Sequence, residues 1–552
     1  MKILEIAIKE LSRSKVKTDF DLAFLKRKIA KKYKISCPSN IQLLKAYHKL
    51  LKIGIIKKNR ILENLLRKRK IRSLSGVVVV SVLTKPYPCP GKCIYCPIEK
   101  GMPKSYLSGE PAAERARKLK FDPHLQVQKR LESLKEQGHP IDKIELRIIG
   151  GTWSYYPKQY QNWFIKKCFQ AANEFGGSKN SKSEIRDPRQ IPNSKLEILK
   201  REQKRNERAK CRIVGISVET RPDFINGKEI LNLRELGATM VELGVQTIFD
   251  EILEKCQRGH KVKETILATK LLKDAGFKIM YQMMPNLPGS DFGKDLKCFK
   301  EIFENPDFKP DWLKIYPTVI CKSSELYQIW KRGKYKSYSD RDLIELLIKI
   351  KKNLPYWVRL ARLFRDIPVQ RIEAGCKISN LREVVQKEMK KRRLKCKCIR
   401  CREIRENYDP KEKVYLFRED YEASEGKEIF LSYENKKRTK LYSFLRLRIP
   451  AFLLQTSTDK LEVGSLSTII PVLKDAVIIR EIQTYGQMVP LGEKSLAPQH
   501  RGLGKKLIKE AEKIAKNEFE LKKMAVISGI GVREYWRKLG YKLRETYMFK
   551  WL

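Results

Sequence analysis

Six short apolar runs punctuate the first two thirds of the chain, at 77–83, 144–149, 213–218, 240–245, 279–284 and 312–316. As short apolar runs, they predict strands buried on both faces. Longer amphipathic stretches between them, at 123–137, 157–173, 262–275 and 340–352, predict helices. Strands joined by crossover helices make a parallel sheet, open or rolled into a partial barrel. Ahead of this region, Leu22, Leu25, Ile29, Leu43, Leu44 and Tyr47 recur at helical spacing among lysines, and the segment closes on the basic string RKRKIRSLSG. The polar stretch 176–210 predicts a surface insertion with one helix. From 413 onward the pattern changes to strand-like runs at 429–433, 441–447, 476–482 and 524–527 around one helix at 501–517. The expected organisation is α/β: a basic helical module (1–75), a parallel (β/α)6 partial barrel (76–355), a connector (356–412) and an α+β domain (413–552).

In sheets of this kind, sites gather at the C-terminal ends of the strands, and the unusual strings of this sequence fall there. The first strand is followed by KPYPCPGKCIYCP, with Cys89, Cys93 and Cys96; the second by GGTW (Gly150, Gly151, Thr152 and Trp153). ETRPD follows the third, with Glu219, and GVQT the fourth, with Gln246; MPNLPG and YPT follow the fifth and sixth. Three thiols in one loop can converge on one centre and leave a coordination position open; a structural zinc with a fourth ligand elsewhere is the alternative. A second trio, Cys396, Cys398 and Cys401 in KCKCIRC, has the spacing of a structural zinc site, with Cys376 as the nearest candidate for a fourth ligand. In the last domain, Gln499, His500, Arg501, Gly502, Leu503 and Gly504 precede a helix, where backbone amides can face a phosphate.

Charge narrows the partners. The chain carries 118 Lys+Arg against 64 Asp+Glu, a formal net charge of +54, spread over its whole length. Such a surface attracts a polyanion, with nucleic acid the first candidate. With 42% hydrophobic residues the chain is globular. No run is long enough to span a bilayer and the N-terminal segment lacks the pattern of a signal peptide. Clustered cysteines, 13 in all, then suggest ligation of metal in a reducing, cytoplasmic setting.

The cysteine loop, the GGTW turn and the strand order resemble radical S-adenosylmethionine (SAM) enzymes, and QHRGLG resembles the acetyl-CoA pyrophosphate loop of GNAT acetyltransferases. The two together, with RGH (Arg258 to His260), RDIP, NLRE, FLSYE and AVISGIGVREYWRKLGY, are similar to the Elongator catalytic-subunit family in its archaeal form. That resemblance implies a tRNA wobble-uridine enzyme. Cys89, Cys93 and Cys96 would hold a 4Fe-4S cluster, and Gly150, Gly151, Thr152, Glu219 and Gln246 would face SAM. Residues 499–504 would cradle acetyl-CoA, Glu481 would activate water or position the thioester, and Tyr535 would donate a proton to the departing thiolate. A SAM-derived radical would activate the acetyl methyl group, which becomes a carboxymethyl substituent at carbon 5 of uridine.

The implied partners are tRNA through its anticodon region, contacted in part by the 1–75 module, acetyl-CoA and an electron donor, with no membrane; a homodimer stays open. The competing interpretation is a GNAT protein lysine acetyltransferase whose iron–sulfur domain is structural. A non-catalytic tRNA-binding scaffold would account for the charge but leave the cysteine triad without a purpose.

Overall fold

The strands β1 (Val78–Leu83), β2 (Lys143–Ile149), β3 (Arg212–Thr220), β4 (Met240–Gln246), β5 (Lys278–Met283), β6 (Trp312–Ile315) and β7 (Arg359–Arg362) pair in sequence order, each parallel to the next. They come from a computed structural model that describes residues 2–14, 16–68, 73, 76–175, 195–405, 409, 411–454, 466–486 and 501–552. The six expected strands are all present, within a few residues of the apolar runs that predict them. The seventh, β7, falls inside the expected connector. Its sequence, RLAR, is half arginine and too short to register as an apolar run, and it gains its place by pairing with β6. Helices cross between the strands, including Pro123–Glu136, Lys158–Glu174, Val262–Asp274 and Asp340–Asn353. The result is a parallel half-barrel. The helix of the 176–210 insertion is Lys195–Asn206; the rest of its first half, 176–194, lies outside the described residues.

The C-terminal domain is built on β8 (Tyr415–Ala423), β9 (Gly426–Glu434), β10 (Leu441–Ile449), β11 (Ala476–Thr484), β12 (Lys523–Val526), β13 (Lys542–Arg544) and β14 (Tyr547–Trp551). They lie in the order β13-β14-β12-β11-β10-β9-β8. Only the β11–β12 pair is parallel. The helix Leu503–Glu518 lays its apolar face (Leu507, Ile508, Ala511, Ile514) over β9, β10 and β11.

One continuous apolar core runs from the half-barrel into this second sheet. At the seam a loop of the C-terminal domain presses on β3 so closely that a Cβ at Gly529 would stand 2.0 Å from the Val214 carbonyl oxygen. This is the physical need behind the first glycine of SGIG. Buried ion pairs join the same surfaces. Arg480 of β11 reaches Asp311 at 2.5 Å and Arg448 of β10 reaches Asp274 at 2.7 Å across the seam, while Glu428, 2.8 Å from Arg480, and Glu481, 2.9 Å from Arg446, hold the arginines from within the C-terminal sheet.

The N-terminal module is four helices, α1 (Lys2–Arg13), α2 (Asp19–Lys32), α3 (Asn40–Lys52) and α4 (Arg60–Leu66), around a separate core of Ile8, Leu11, Leu43, Leu44, Tyr47 and Leu62. Thr18 and Ser39 open α2 and α3 with reciprocal capping boxes. Among the described residues no helix is long and apolar enough to cross a membrane.

Candidate active site

β1 ends at Leu83 and the chain turns through Thr84 into the cysteine loop. Cys93 is buried, while Cys89 and Cys96 are half-buried. A hydrogen bond from the Cys96 thiol and the Arg258 guanidinium, 3.5 Å from the Cys93 sulfur, outweigh burial and hold Cys93 down to about 4. The same hydrogen bond, with burial, pushes Cys96 well up. A thiolate at neutral pH is the metal-ligating form. Polar atoms without partners converge around the loop. A Cβ at Gly91 would stand 2.6 Å from Arg221 Nη1, which is buried and unpartnered among the described residues, as are Arg258 Nε and Gln246 Oε1. A Cys93 thiolate backed by Arg258 and by unsatisfied buried dipoles suits an anionic thiolate-bound cluster and a polar ligand beside it.

The second wall comes from β2. Gly150 and Gly151 have φ of +133° and +106°, and a Cβ at Gly150 would meet Thr84 Oγ1 at 2.0 Å. Thr84 is fixed in turn by Tyr156, hydroxyl to hydroxyl at 2.9 Å. Thr152 is buried at the start of the Trp153–Tyr155 turn. Gly150→Ala is therefore expected to cost more than ~1 kcal/mol from backbone strain alone and to part β1 from β2. Chemical denaturation of the variant against wild type checks it.

Inside the half-barrel the strands carry charge where barrels are usually packed with branched apolar side chains. Glu219 (β3) accepts from the Tyr106 hydroxyl at 2.6 Å and from Gln282 Nε2 (β5) at 3.1 Å. Lys314 (β6) bonds Glu242 (β4) and lies 3.5 Å from Glu219. Although burial disfavours the charge of Lys314, the carboxylates of Glu242 and Glu219 hold its ammonium well above its ordinary range. Gln246, at the end of β4, has φ of +72°.

Sequence reasoning missed the part played by two arginines. Arg258 stood out only as part of the RGH string; the structure turns it onto Cys93, with Nη2 donating to the Gly244 carbonyl at 2.6 Å. A Cβ at Gly244 would stand 2.7 Å from that nitrogen, so the glycine of GVQT leaves room for the arginine. Arg221 of ETRPD is clamped by Asp223 at 2.8 Å and by the Gly259 carbonyl at 3.0 Å, which aims its third nitrogen at Gly91. Neither pairing has a local sequence signal, because its members are 165 and 130 positions apart or more.

In the C-terminal domain, Gly502 adopts φ of +69° before the helix Leu503–Glu518, and Leu503 is buried. A Cβ at Gly504 would meet Thr484 Oγ1 at 3.4 Å and the Tyr535 hydroxyl at 3.7 Å, so the expected loop and the expected tyrosine do meet. Burial raises the Tyr535 phenol above its ordinary value. Arg501 Nη1 lies 3.5 Å from the Glu412 carbonyl. Gln499 and His500 lie outside the described residues. Glu481, half-buried on β11, has its carboxylate on Arg446 Nε at 2.9 Å. The neighbouring Trp536 packs edge-on against Tyr541 in the core.

The sulfurs of Cys396, Cys398 and Cys401 lie within 4.8 Å of one another. Three thiolates on one tetrahedral zinc, at Zn–S ~2.3 Å, stand about 3.8 Å apart, so the trio suits a single ion. Cys376 is not in this group; its thiol lies beside Asp340 and Ile378. Lys351 Nζ, 3.7 Å from Cys401, and Arg382 instead bring positive charge to the thiols.

Residues 87–298 match the radical SAM superfamily and residues 310–391 the radical SAM C-terminal domain. The chain is 46% identical to a tRNA uridine(34) acetyltransferase of Methanocaldococcus jannaschii over 94% of this chain and 91% of that one. It is 36% identical to human Elongator complex protein 3, over 97% and 94%. The solved structure of archaeal Methanocaldococcus infernus Elp3 with an N-terminal deletion superposes with a TM-score of 0.70 at 43% identity, covering 87% of this chain and all of that one. The radical SAM match implies a 4Fe-4S cluster and SAM.

Proposed function

The chain belongs to the family of the tRNA uridine(34) acetyltransferases and Elongator complex protein 3, and on that premise we propose that it is an enzyme that modifies the wobble uridine of tRNA. Its substrate carbon comes from acetyl-CoA, and its product carries a carboxymethyl group at carbon 5. Cys89, Cys93 and Cys96 hold the cluster, with Gly150, Gly151, Thr152, Glu219 and Gln246 as the SAM-side wall. When bound, the cluster and SAM supply the one-electron, hydrogen-abstracting chemistry that activates an acetyl methyl group. The observation that carries the proposal is the Arg258 guanidinium set 3.5 Å from the Cys93 sulfur, in the same chain as a glycine turn that meets the Tyr535 hydroxyl.

The chain's own residues divide the remaining work. Arg258 neutralises thiolate charge next to the cluster, and Arg221 holds the loop from the other side. Glu219, Gln282, Lys314 and Tyr106 form a fixed polar layer along the inner barrel wall that can orient a base without having to reorganise. Arg501, Gly502, Leu503 and Gly504, with Gln499 and His500, cradle the acetyl-CoA phosphates. Tyr535, a phenol that carries its proton at neutral pH, donates to the leaving thiolate. Glu481 fixes Arg446 across β10 and β11 on the face toward the half-barrel, where Arg446 also donates to the Trp357 carbonyl. Cys396, Cys398 and Cys401 hold a zinc ion that ties the connector to the half-barrel. The basic surface, the N-terminal module included, binds the tRNA backbone.

Tyr535→Phe is expected to slow release of CoA by ~10²-fold and to leave acetyl-CoA affinity unchanged, as read by a thiol assay and by calorimetry. The function itself is tested by 5′-deoxyadenosine formation in oxygen-free, cluster-loaded protein. SAM cleavage should depend on tRNA and acetyl-CoA together; cleavage indifferent to tRNA would count against a tRNA enzyme.

A further inference from the structure

We propose, resting on the reading of Tyr535 as the proton donor, that Glu207 of the half-barrel is the positioning residue for that tyrosine, so that the radical SAM half of the chain sets the geometry of the acetyl-CoA site. Tyr535 rides on the five-residue helix Arg533–Arg537. A helix that short does not hold itself in water, so its position comes from what grips it. Glu207 grips it with both carboxylate oxygens: Oε1 accepts from Arg533 Nη1 at 3.1 Å and Oε2 from Arg537 Nη1 at 2.6 Å. Positions 533 and 537 lie one turn apart on one face. Tyr535, two residues from each, projects from the opposite side. The carboxylate therefore clamps the back of the helix whose front presents the phenol to Gly504.

The clamp is itself rigid. Glu207 is buried and follows directly on the helix Lys195–Asn206, in the polar stretch 176–210 that the chemistry of the two sites leaves without a task. Asn206 locks the end of that helix to the sheet. Its Nδ2 donates to Asn173 Oδ1 at 2.7 Å and to the Cys211 carbonyl at 3.1 Å, and its Oδ1 accepts from the Ile213 N–H of β3 at 2.7 Å. The segment leading into Tyr535 is seated on the same strand. A Cβ at Gly531 would stand 2.6 Å from Arg212 Cβ and 2.9 Å from the Ile213 carbonyl oxygen, and a Cβ at Gly237 would stand 3.3 Å from Ile530 Cγ1. Trp536 anchors the helix to its own domain by packing on Tyr541. A single anchor leaves the helix free to turn about it, and Glu207 removes that freedom. Nearby charges do not replace it. Glu534 pairs with Arg537 and with the exposed Arg208, whereas buried Arg533 is compensated by Glu207. Without that carboxylate a buried guanidinium is stranded, and the helix must shift to bring it to water.

The test is a double-mutant cycle on CoA release by the full-length, cluster-loaded protein in the presence of tRNA. Glu207→Gln keeps the shape of the side chain and removes its charge. It should lower kcat about tenfold, with KM for acetyl-CoA within about twofold of wild type, because a reacting group displaced by about 1 Å loses much of its effect. Arg537→Met opens the clamp from its half-buried end without stranding Arg533, and should give a smaller fall in the same direction. In a Tyr535→Phe background Glu207→Gln should cost nothing further, since a residue acting through the hydroxyl has nothing left to position. A wild-type kcat in both clamp variants would overturn the proposal. So would the same loss repeated on top of Tyr535→Phe, or a matching rise in KM, either of which makes Glu207 a support of the domain as a whole. A Tyr535→Phe protein that releases CoA at the wild-type rate would instead overturn the reading of Tyr535, and this inference with it.

Discussion

Cys93→Ala is expected to abolish uridine modification, by more than ~10³-fold, and to change tRNA affinity by less than about twofold. The first half follows from the way the loop is built. On the proposed ligation its three thiols hold one cluster and act as a unit, so losing one costs about as much as losing all. Cys93 is the buried member, held as a thiolate by the Cys96 hydrogen bond and by Arg258. Alanine also strands the Arg258 guanidinium, whose remaining partner is the Gly244 carbonyl. The second half follows from charge: backbone binding draws on a net +54 distributed over the whole chain, and one buried thiol contributes nothing to it. Nucleoside analysis of the tRNA reads the activity and filter binding reads the affinity. Acetyl transfer to a lysine peptide that survives the substitution would favour the protein-acetyltransferase alternative.

Arg480→Met is expected to destabilise the protein by ~3–5 kcal/mol, the cost of stranding buried charge. Arg480 is fully buried between Asp311, which precedes β6 of the half-barrel, and Glu428 of β9. Burial alone would raise the Asp311 carboxyl, but Arg480, Lys273 and Arg446 overcome it and hold the group well below its usual 3.8. A carboxyl lowered in the folded state contributes stability that is fully present above about pH 3.8 and is lost only as pH falls toward the folded value. Methionine keeps much of the volume of arginine but leaves Asp311 and Glu428 facing each other across the seam with less compensation. Urea unfolding at neutral pH measures the loss. A variant within about 1 kcal/mol of wild type would show that the apolar core, and not the ion network, joins the two domains.

The parallel sheet was legible because each of its first six strands carries a short, mostly apolar run that stands out even where a charge enters the barrel wall, as Glu242 does in MVELGVQ and Lys314 in WLKI. β7 escaped for the complementary reason: two of its four residues are arginines, one of which, Arg359, finds Glu403 at 2.7 Å and the Tyr485 hydroxyl at 2.8 Å inside the fold. The proposed ligands of the site are legible because three cysteines must be close in sequence to share a loop. Their environment is not, since Arg258 and Arg221 reach that loop from other strand ends and only the folded sheet brings them there. The same holds for the meeting of Gly504 with Tyr535. Each belongs to a recognisable string, but their separation is a property of the packed sheet. Cys376, nearest in sequence to the second cysteine trio, turned to Asp340, a reminder that proximity along the chain sets no direction for a side chain.

The central claim is that a cluster on Cys89, Cys93 and Cys96 and an acetyl-CoA site around Gly502–Gly504 and Tyr535 serve one reaction on tRNA. Its most direct test is anaerobic turnover of cluster-loaded protein with SAM, a one-electron reductant, tRNA and acetyl-CoA labelled in the methyl carbon, followed by mass analysis of the nucleosides. The account predicts that the label appears on uridine at the wobble position, in wild type but not in Cys93→Ala. Label found only on protein lysines, or on uridine equally in both proteins, would contradict it.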